Sequence, residues 1–301
     1  MAARFWTLIL TARLLVAVTA AAWAGAMRSM PFAAAAAVGV MAWSVTPVAA
    51  VAVSFAVARS RARSSGVRTG VMDLLRAACA EALQLEAMLH RMAAEPLTAR
   101  LDRAANPETQ PPVQVVLVHG IACNRAVWRP LLAALRAAGI ERVQAVSLEP
   151  LFADIDAYAR ELLARLEASG ASAARPATIV AHSMGGLVAR AALREAPPGM
   201  IGRILTIGTP HHGTLIACPF GWASTRQMCC GSRWLADLNG RQEGRLGVRM
   251  TSLYSLDDNL VVPAASAVLG GARSIGLRGL GHLGLLCSRQ VLDAIVAELR
   301  A

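Results

Sequence analysis

Lysine is absent from this 301-residue chain: all 30 basic side chains are Arg, against 19 Asp and Glu, for a formal net charge of +11. A nucleic-acid-binding surface usually mixes the two basic residues and clusters them. Here Arg is scattered through an Ala-, Gly- and Val-rich chain, so the charge reads as compositional bias and nucleic acid is not an expected partner. Charged residues are also scarce, at 16% where a soluble domain carries about a quarter. Hydrophobic residues make up 55% and the mean hydropathy is +0.47. General disorder is excluded, because it needs low hydrophobicity, and a wholly soluble chain is disfavoured. No CxxC pair occurs among the six Cys, and their spacing matches no zinc site. Neither a metal nor a cofactor is expected. The Cys residues are expected to be small buried hydrophobes. One disulfide, from Cys218 to Cys229 or Cys230, becomes available if the domain faces an oxidising compartment.

The excess apolar content lies at the N-terminus. Residues 6–27 are apolar apart from Arg13, and residues 32–58 carry no charge. A helix crosses a bilayer core with about 20 apolar residues, so residues 1–60 read as membrane segments, two transmembrane helices being the leading arrangement. Pro47 falls where a spanning helix tolerates a kink. Because of Arg13 the first stretch also reads as a cleavable signal, with Ala24-Gly25-Ala26 resembling a cleavage site. Arg59, Arg61, Arg63 and Arg68 follow the second stretch, and basic flanks stay inside. That places the rest of the chain on the cytoplasmic side of a bacterial-type inner membrane.

Residues 61–111 hold this basic flank, an amphipathic helix and a linker. Val71, Leu75, Ala78, Ala82, Leu85, Leu89 and Met92 recur at helical spacing and form one apolar stripe. The Pro-rich run Asn106–Pro112 marks a boundary. From residue 112 to 301, short apolar runs alternate with amphipathic helices. Strands are expected at 113–118, 143–147, 177–181, 203–207, 249–254 and 272–276, and helices at 126–138, 153–169, 185–195 and 288–300. Alternation of this kind gives an α/β fold with a mostly parallel sheet of about six strands, covered on both faces.

The strongest chemical signal is Ala181-His182-Ser183-Met184-Gly185-Gly186, between an apolar strand and a helix. This is the setting of a nucleophile elbow, in which a tight turn lifts the serine hydroxyl above the sheet. Small residues are needed two places before and after the serine, and Ala181 and Gly185 supply them. A serine hydroxyl needs a base to take its proton. Among the six His, only His282 lies late in the chain, between the last strand and the last helix. The base in turn needs a carboxylate to fix its tautomer, for which Asp257 and Asp258 compete. An oxyanion hole would draw on the Met184 N–H and, after the first strand of the domain, on the Ile121 N–H that Gly120 turns toward the site. All these residues lie beyond 112, so that part alone is expected to carry the activity.

At these residues the chain resembles the α/β-hydrolase superfamily, and within it the bacterial lipase and esterase group. The pieces that carry the resemblance are VLVHGIACN (116–124), AHSMGGLVAR (181–190), IGTPHHGT (207–214), YSLDDNLVVP (254–263) and GLGHLGLL (279–286). It implies an α/β-hydrolase fold and hydrolysis of carboxylic esters, through a serine nucleophile, a catalytic triad and an acyl-enzyme. The register of DNLVVP selects Asp258 as the acid. His211 and His212 fall on a loop expected to shape the pocket wall. His119, Gly120 and Trp222 are further expected pocket residues, the last from a 215–248 insertion that could cap the site. A membrane-tethered apolar site implies a lipid-like ester. A thioesterase or acyltransferase would use the same residues, and a non-catalytic lipid- or partner-binding protein is the alternative from another class.

Overall fold

The computed structural model describes residues 1–28, 30–62, 70–97, 114–242 and 246–300. The expected linker at 106–112 and the basic residues Arg63 and Arg68 lie outside these residues. Three helices come first: α1 (Ala2–Arg28), α2 (Phe32–Ala62) and α3 (Val71–Ala93). α1 and α2 are each long and apolar enough to cross a membrane by length and composition. They form an antiparallel hairpin in which Ala17 and Ala21 of α1 meet Gly39 of α2, close enough that a side chain at Gly39 would lie 3.0 Å from the Ala17 carbonyl. Leu14, Leu15, Val16 and Val18 on α1, and Val40, Met41 and Val45 on α2, remain exposed.

The charge at Arg13 has a local solution. Its guanidinium lies 3.0 Å from the Glu86 carboxylate on α3 and 4.2 Å from the ring centroid of Trp43 on α2. Trp43 Nε1 also donates to Glu86, at 2.7 Å. The one charge in the first apolar run thus ties all three helices together.

The remaining elements alternate as expected. The strands are β1 (Val115–Val118), β2 (Val143–Val146), β3 (Ala177–His182), β4 (Ile201–Ile207), β5 (Arg249–Ser255) and β6 (Arg273–Leu277). They form one sheet in the order β2-β1-β3-β4-β5-β6, with every pairing parallel. The helices are α4 (Arg129–Ala137), α5 (Ile155–Ala168), α6 (Met184–Glu195), α7 (Ala223–Met228), α8 (Arg233–Gln242), α9 (Gly284–Cys287) and α10 (Arg289–Arg300). The insertion after β4 therefore contains two helices, α7 and α8, that the periodicity of its sequence does not announce.

Alternate strand residues feed two cores, as a sheet covered on both faces requires. Val116, Val118, Ile179 and Ile204 pack with α5 and α6 on one side. Leu117, Val180, Leu205 and Leu253 pack with α4 and α10 on the other, and Met88, Leu89 and Met92 of α3 join this second core. The apolar stripe of α3 is rotated from expectation in its first half: Val71 and Leu75 are exposed, while Ala77 and Glu81 are buried. The cause is that this half lies between α2, through Val51 and Phe55, and the loop carrying His282, through Glu81. The Cys expectation also needs correction. Cys218 and Cys229 are joined in a disulfide rather than being separate buried thiols, and Cys79 is exposed.

Candidate active site

Strand order reverses between β1 and β3, and in open α/β sheets the crevice beyond the carboxyl ends at such a switch point is where ligands bind. Val118 and His182, the last residues of those two strands, lead into His119-Gly120 and into Ser183. Ser183 has φ 55° and ψ −127°, a left-handed conformation that a non-glycine residue adopts only when its surroundings enforce it. Two hydrogen bonds do so: Ser183 N–H donates to Ile207 O at 2.9 Å, and Thr209 Oγ1 donates to Ser183 O at 2.9 Å. The demand for small neighbours is explicit. A Cβ at Gly185 would lie 2.6 Å from the His119 carbonyl oxygen, and one at Gly120 would lie 2.8 Å from Ser183 Cβ.

Met184 begins α6, so its N–H belongs to the first turn, which has no intrahelical partner. Gly120 brings the other loop against Ser183, and Ile121 follows it. Ala122, next in that loop, has φ 56° and its carbonyl accepts from Trp6 Nε1 of α1 at 2.7 Å. Of the β1 loop it is Gly120 that lies against Ser183, and Met184 follows Ser183 directly at the start of α6.

His282 follows β6. Its Nδ1 lies 2.8 Å from Asp258 Oδ2, and its ring is 4.6 Å from that of His182, the neighbour of Ser183. A side chain at Gly208, just after the Ile207 carbonyl that holds Ser183, would sit 3.3 Å from His282 Cε1 and 3.2 Å from Asp258 Oδ2. Ser183, His282 and Asp258 thus converge around the end of β4. Asp258 is fixed by the Leu260 and Val261 N–H groups, each donating to Oδ1 at 2.8 Å. Asp257 does different work, accepting the Gly279 N–H at 2.7 Å. Of the two competing carboxylates it is Asp258 that meets the imidazole. Burial alone would lower the His282 pKa, but the charge of Asp258, its hydrogen bond and the more distant Glu81 outweigh that and hold it above the ordinary value.

The expected pocket residues separate. His119 is buried, with Nδ1 on Gly120 O at 2.8 Å and Nε2 accepting the Leu148 N–H at 2.9 Å. Both ring nitrogens are used by the neutral form, and burial pushes its pKa down to about 4. His211 is buried between Arg190 (3.4 Å) and Thr206 (3.2 Å), and its pKa is well below the ordinary value through burial and the Arg190 charge. It braces α6 and β4 from within. His212 is exposed and contacts Asn239 Nδ2 at 3.2 Å. Trp222 stacks on Phe152 with centroids 4.0 Å apart and on Phe220 at 5.4 Å. Phe5 of α1 meets Phe152 edge-on at 6.3 Å. Among the described residues no group of His, Cys, Asp and Glu is arranged to hold a metal ion.

A helix at 71–92 with an apolar stripe fits packing on the following domain, but sequence reasoning missed the polar contacts that α2 and α3 make to the His282 loop. Ser54 on α2 accepts from Asn259 Nδ2 at 2.8 Å, and Glu81 on α3 accepts from Leu283 and Gly284, the residues after His282. Glu81 stands inside an apolar helical pattern, and a charge so placed was the available signal.

A fully parallel α/β sheet with a strained serine at the switch point, an Asp–His pair after the later strands and a two-helix insertion defines the class of nucleophile-elbow α/β proteins. Residues 115–273 match the Alpha/beta hydrolase family, and the chain belongs to that family. Its fold is shared with the mature form of the lipase BlEst2 of Bacillus licheniformis (TM-score 0.55, 17% identity, covering 65% of this chain and 94% of that one). It is similar also to lipase B of Aspergillus fumigatus (TM-score 0.56, 20% identity, covering 66% of this chain and 55% of that one).

Proposed function

We propose that this chain is a membrane-anchored serine hydrolase that cleaves lipid-like carboxylic esters. The observation that carries the reading is the buried Asp258–His282 pair beside a serine held at positive φ. His282, its Nδ1 committed to Asp258, presents Nε2 as the base that takes the Ser183 proton. Ser183 Oγ attacks the ester carbonyl, and the developing oxyanion is met by the N–H groups of Met184 and Ile121. The imidazolium then protonates the leaving alcohol. Water, activated by the same base, releases the acid from the acyl-enzyme. Asp258 keeps the imidazole in the required tautomer and stabilises its cation.

The lipid-like substrate is supported by the aromatic wall. Phe5, Phe152, Trp222 and Phe220 run from the start of α1 to the insertion, with Phe220 and Trp222 each 45% exposed. Aromatic rings gather where a membrane helix leaves the bilayer, so an ester in the interface would meet this wall. The anchor is the α1–α2 hairpin, retained rather than cleaved, since Trp6 and Arg13 make contacts that a cleaved chain would lose. Its basic end at Arg59 and Arg61 orients the catalytic part to the cytoplasmic side.

The test is fluorophosphonate labelling of the detergent-solubilised full chain, with Ser183→Ala as control, followed by hydrolysis of p-nitrophenyl esters of increasing acyl length. Wild type should take the label and favour medium or long chains; the variant should do neither. Hydrolysis persisting in purified Ser183→Ala would sink the reading.

A further inference from the structure

We propose that Glu81, on the helix after the membrane hairpin, is a positioning residue for His282; this rests on the nucleophile reading above. Glu81 is 1% exposed, and its two carboxylate oxygens take the N–H groups of Leu283 (2.7 Å) and Gly284 (2.9 Å). These directly follow His282. The approach is tight: a Cβ at Gly281 would lie 2.6 Å from Glu81 Cδ and 3.0 Å from Asn259 Oδ1. A carboxylate is rarely buried unless paired with a charge or fully hydrogen-bonded. Here the donors are the backbone of the loop that carries the base.

Two neighbours complete the clamp. The His282 N–H donates to Asn259 Oδ1 at 2.9 Å, and Asn259 Nδ2 donates to Ser54 of α2. His182 Nε2 meets His282 O at 3.3 Å. The His282 backbone is thus gripped from α2 through Asn259 and from β3 through His182, the two residues after it are held from α3 by Glu81, and Asp258 grips its ring. The ionisable groups facing the ring are Asp258, His182 and Glu81. Burial pushes the Glu81 pKa up, and its two backbone hydrogen bonds oppose that shift. A displacement of the base by about 1 Å costs on the order of 10²-fold in rate, which sets the size of the expected effect. The catalytic loop of this hydrolase is in this way held by the helices that anchor it.

The experiment compares full-length wild type, Glu81→Gln and Gly281→Ala in detergent, with melting curves to establish folding. Gln keeps the shape but turns an amide NH₂ toward one of the two N–H donors. The Gly281 variant keeps the charge and crowds it. Both should lose about 10²-fold in kcat with KM unchanged, since neither touches substrate. In Glu81→Gln the acid limb of the kcat/KM profile should also move to lower pH, because an anion near His282 is gone. Folded variants with wild-type kcat would overturn the proposal. So would a loss that falls on KM with the acid limb unmoved. If Glu81→Gln does not fold, the kcat of Gly281→Ala decides. If wild type takes no fluorophosphonate on Ser183, the nucleophile reading fails and this proposal with it; labelled wild type with indifferent variants refutes the proposal alone.

Discussion

Asp258 Oδ2 lies 2.8 Å from Nδ1 of His282, with the two side chains 1% and 3% exposed. An amide at this position cannot stabilise an imidazolium and favours the wrong tautomer. Asp258→Asn should therefore lower kcat by about 10⁴-fold with folding intact. Asp257→Asn weakens one loop hydrogen bond, to Gly279, and should cost about 1 kcal/mol of stability with little effect on turnover. Steady-state kinetics on both variants checks the pair, and the reverse order would remove Asp258 from the proposed mechanism.

The sheet and the strand–turn–helix setting of Ser183 were legible because they rest on local signals. All six strands lie within two residues of their expected positions, since short apolar runs between polar turns leave little freedom. The choice between Asp257 and Asp258 was not legible from spacing, because both can follow β5. It is decided by which carboxylate receives the Leu260 and Val261 N–H groups. The roles of Glu81 and Ser54 depend on how α2 and α3 dock, and long-range contacts across some 200 residues leave no periodic trace. His211 was expected on the pocket wall because it belongs to a His pair in a loop, and it is buried. Its burial beside Arg190 is set by the packing of α6, which the pair does not encode.

Acidification should destabilise the protein through its buried histidines. The pKa values of His119, His182 and His211 are lowered by burial. Their contribution is therefore present above the unfolded value of about 6.5 and is lost as pH falls. His119, held down to about 4, alone accounts for about 2 kcal/mol by pH 5. His282 has the opposite sign: its raised pKa contributes below about 6.5 and is lost as pH rises through the folded value. Glu81, whose pKa burial also raises, has the same sign as His282. The three lowered histidines outweigh these two, so the melting temperature should fall from pH 7.5 to 5, and His119→Gln should flatten that slope. The kcat/KM acid limb should lie above pH 6.5, because His282 must be neutral to act as base.

Gly185 faces the Val118 and His119 carbonyl groups with no room for a methyl. Backbone sits on the other side of the contact, so it cannot yield as a flexible side chain would. Gly185→Ala should destabilise by about 1–3 kcal/mol and abolish fluorophosphonate labelling, by pushing α6 and the Met184 N–H off the oxyanion position. Thermal melts together with labelling separate the two effects; full labelling in the variant would show that the elbow tolerates a wider turn.

Removal of the first three helices should inactivate the enzyme. Residues beyond 112 contain every proposed catalytic group, which by itself would make a shortened chain active. The contacts argue otherwise. α3 supplies Met88, Leu89 and Met92 to the core, Asn124 donates to Met92 O at 2.9 Å, and Glu81 and Ser54 hold the His282 loop. A chain starting at residue 108 should be aggregation-prone and at least 10²-fold less active on a short ester. Wild-type activity in that chain would show that the catalytic part does not depend on α1, α2 and α3.

For a chain anchored as proposed, two features bear on orientation and oppose each other. Arg59 and Arg61 close α2, and basic flanks stay on the cytoplasmic side. The Cys218–Cys229 disulfide favours an oxidising compartment. The flank should prevail, because it acts during insertion, whereas the disulfide loop is held without its bond: Thr214 N–H donates to Met228 O at 2.8 Å and Leu215 N–H to Val262 O at 2.9 Å. A phosphatase fused to the C-terminus, active only after export, should therefore stay inactive. Alkylation in intact cells before lysis should find Cys218 and Cys229 as thiols. Cys218→Ser should leave kcat unchanged and, in protein oxidised after purification, lower stability by about 2–3 kcal/mol, as expected for a loop of this length. An active reporter together with a linked Cys218–Cys229 pair would place the catalytic part outside the cytoplasm, and its substrate would then be an ester of the outer leaflet of that membrane.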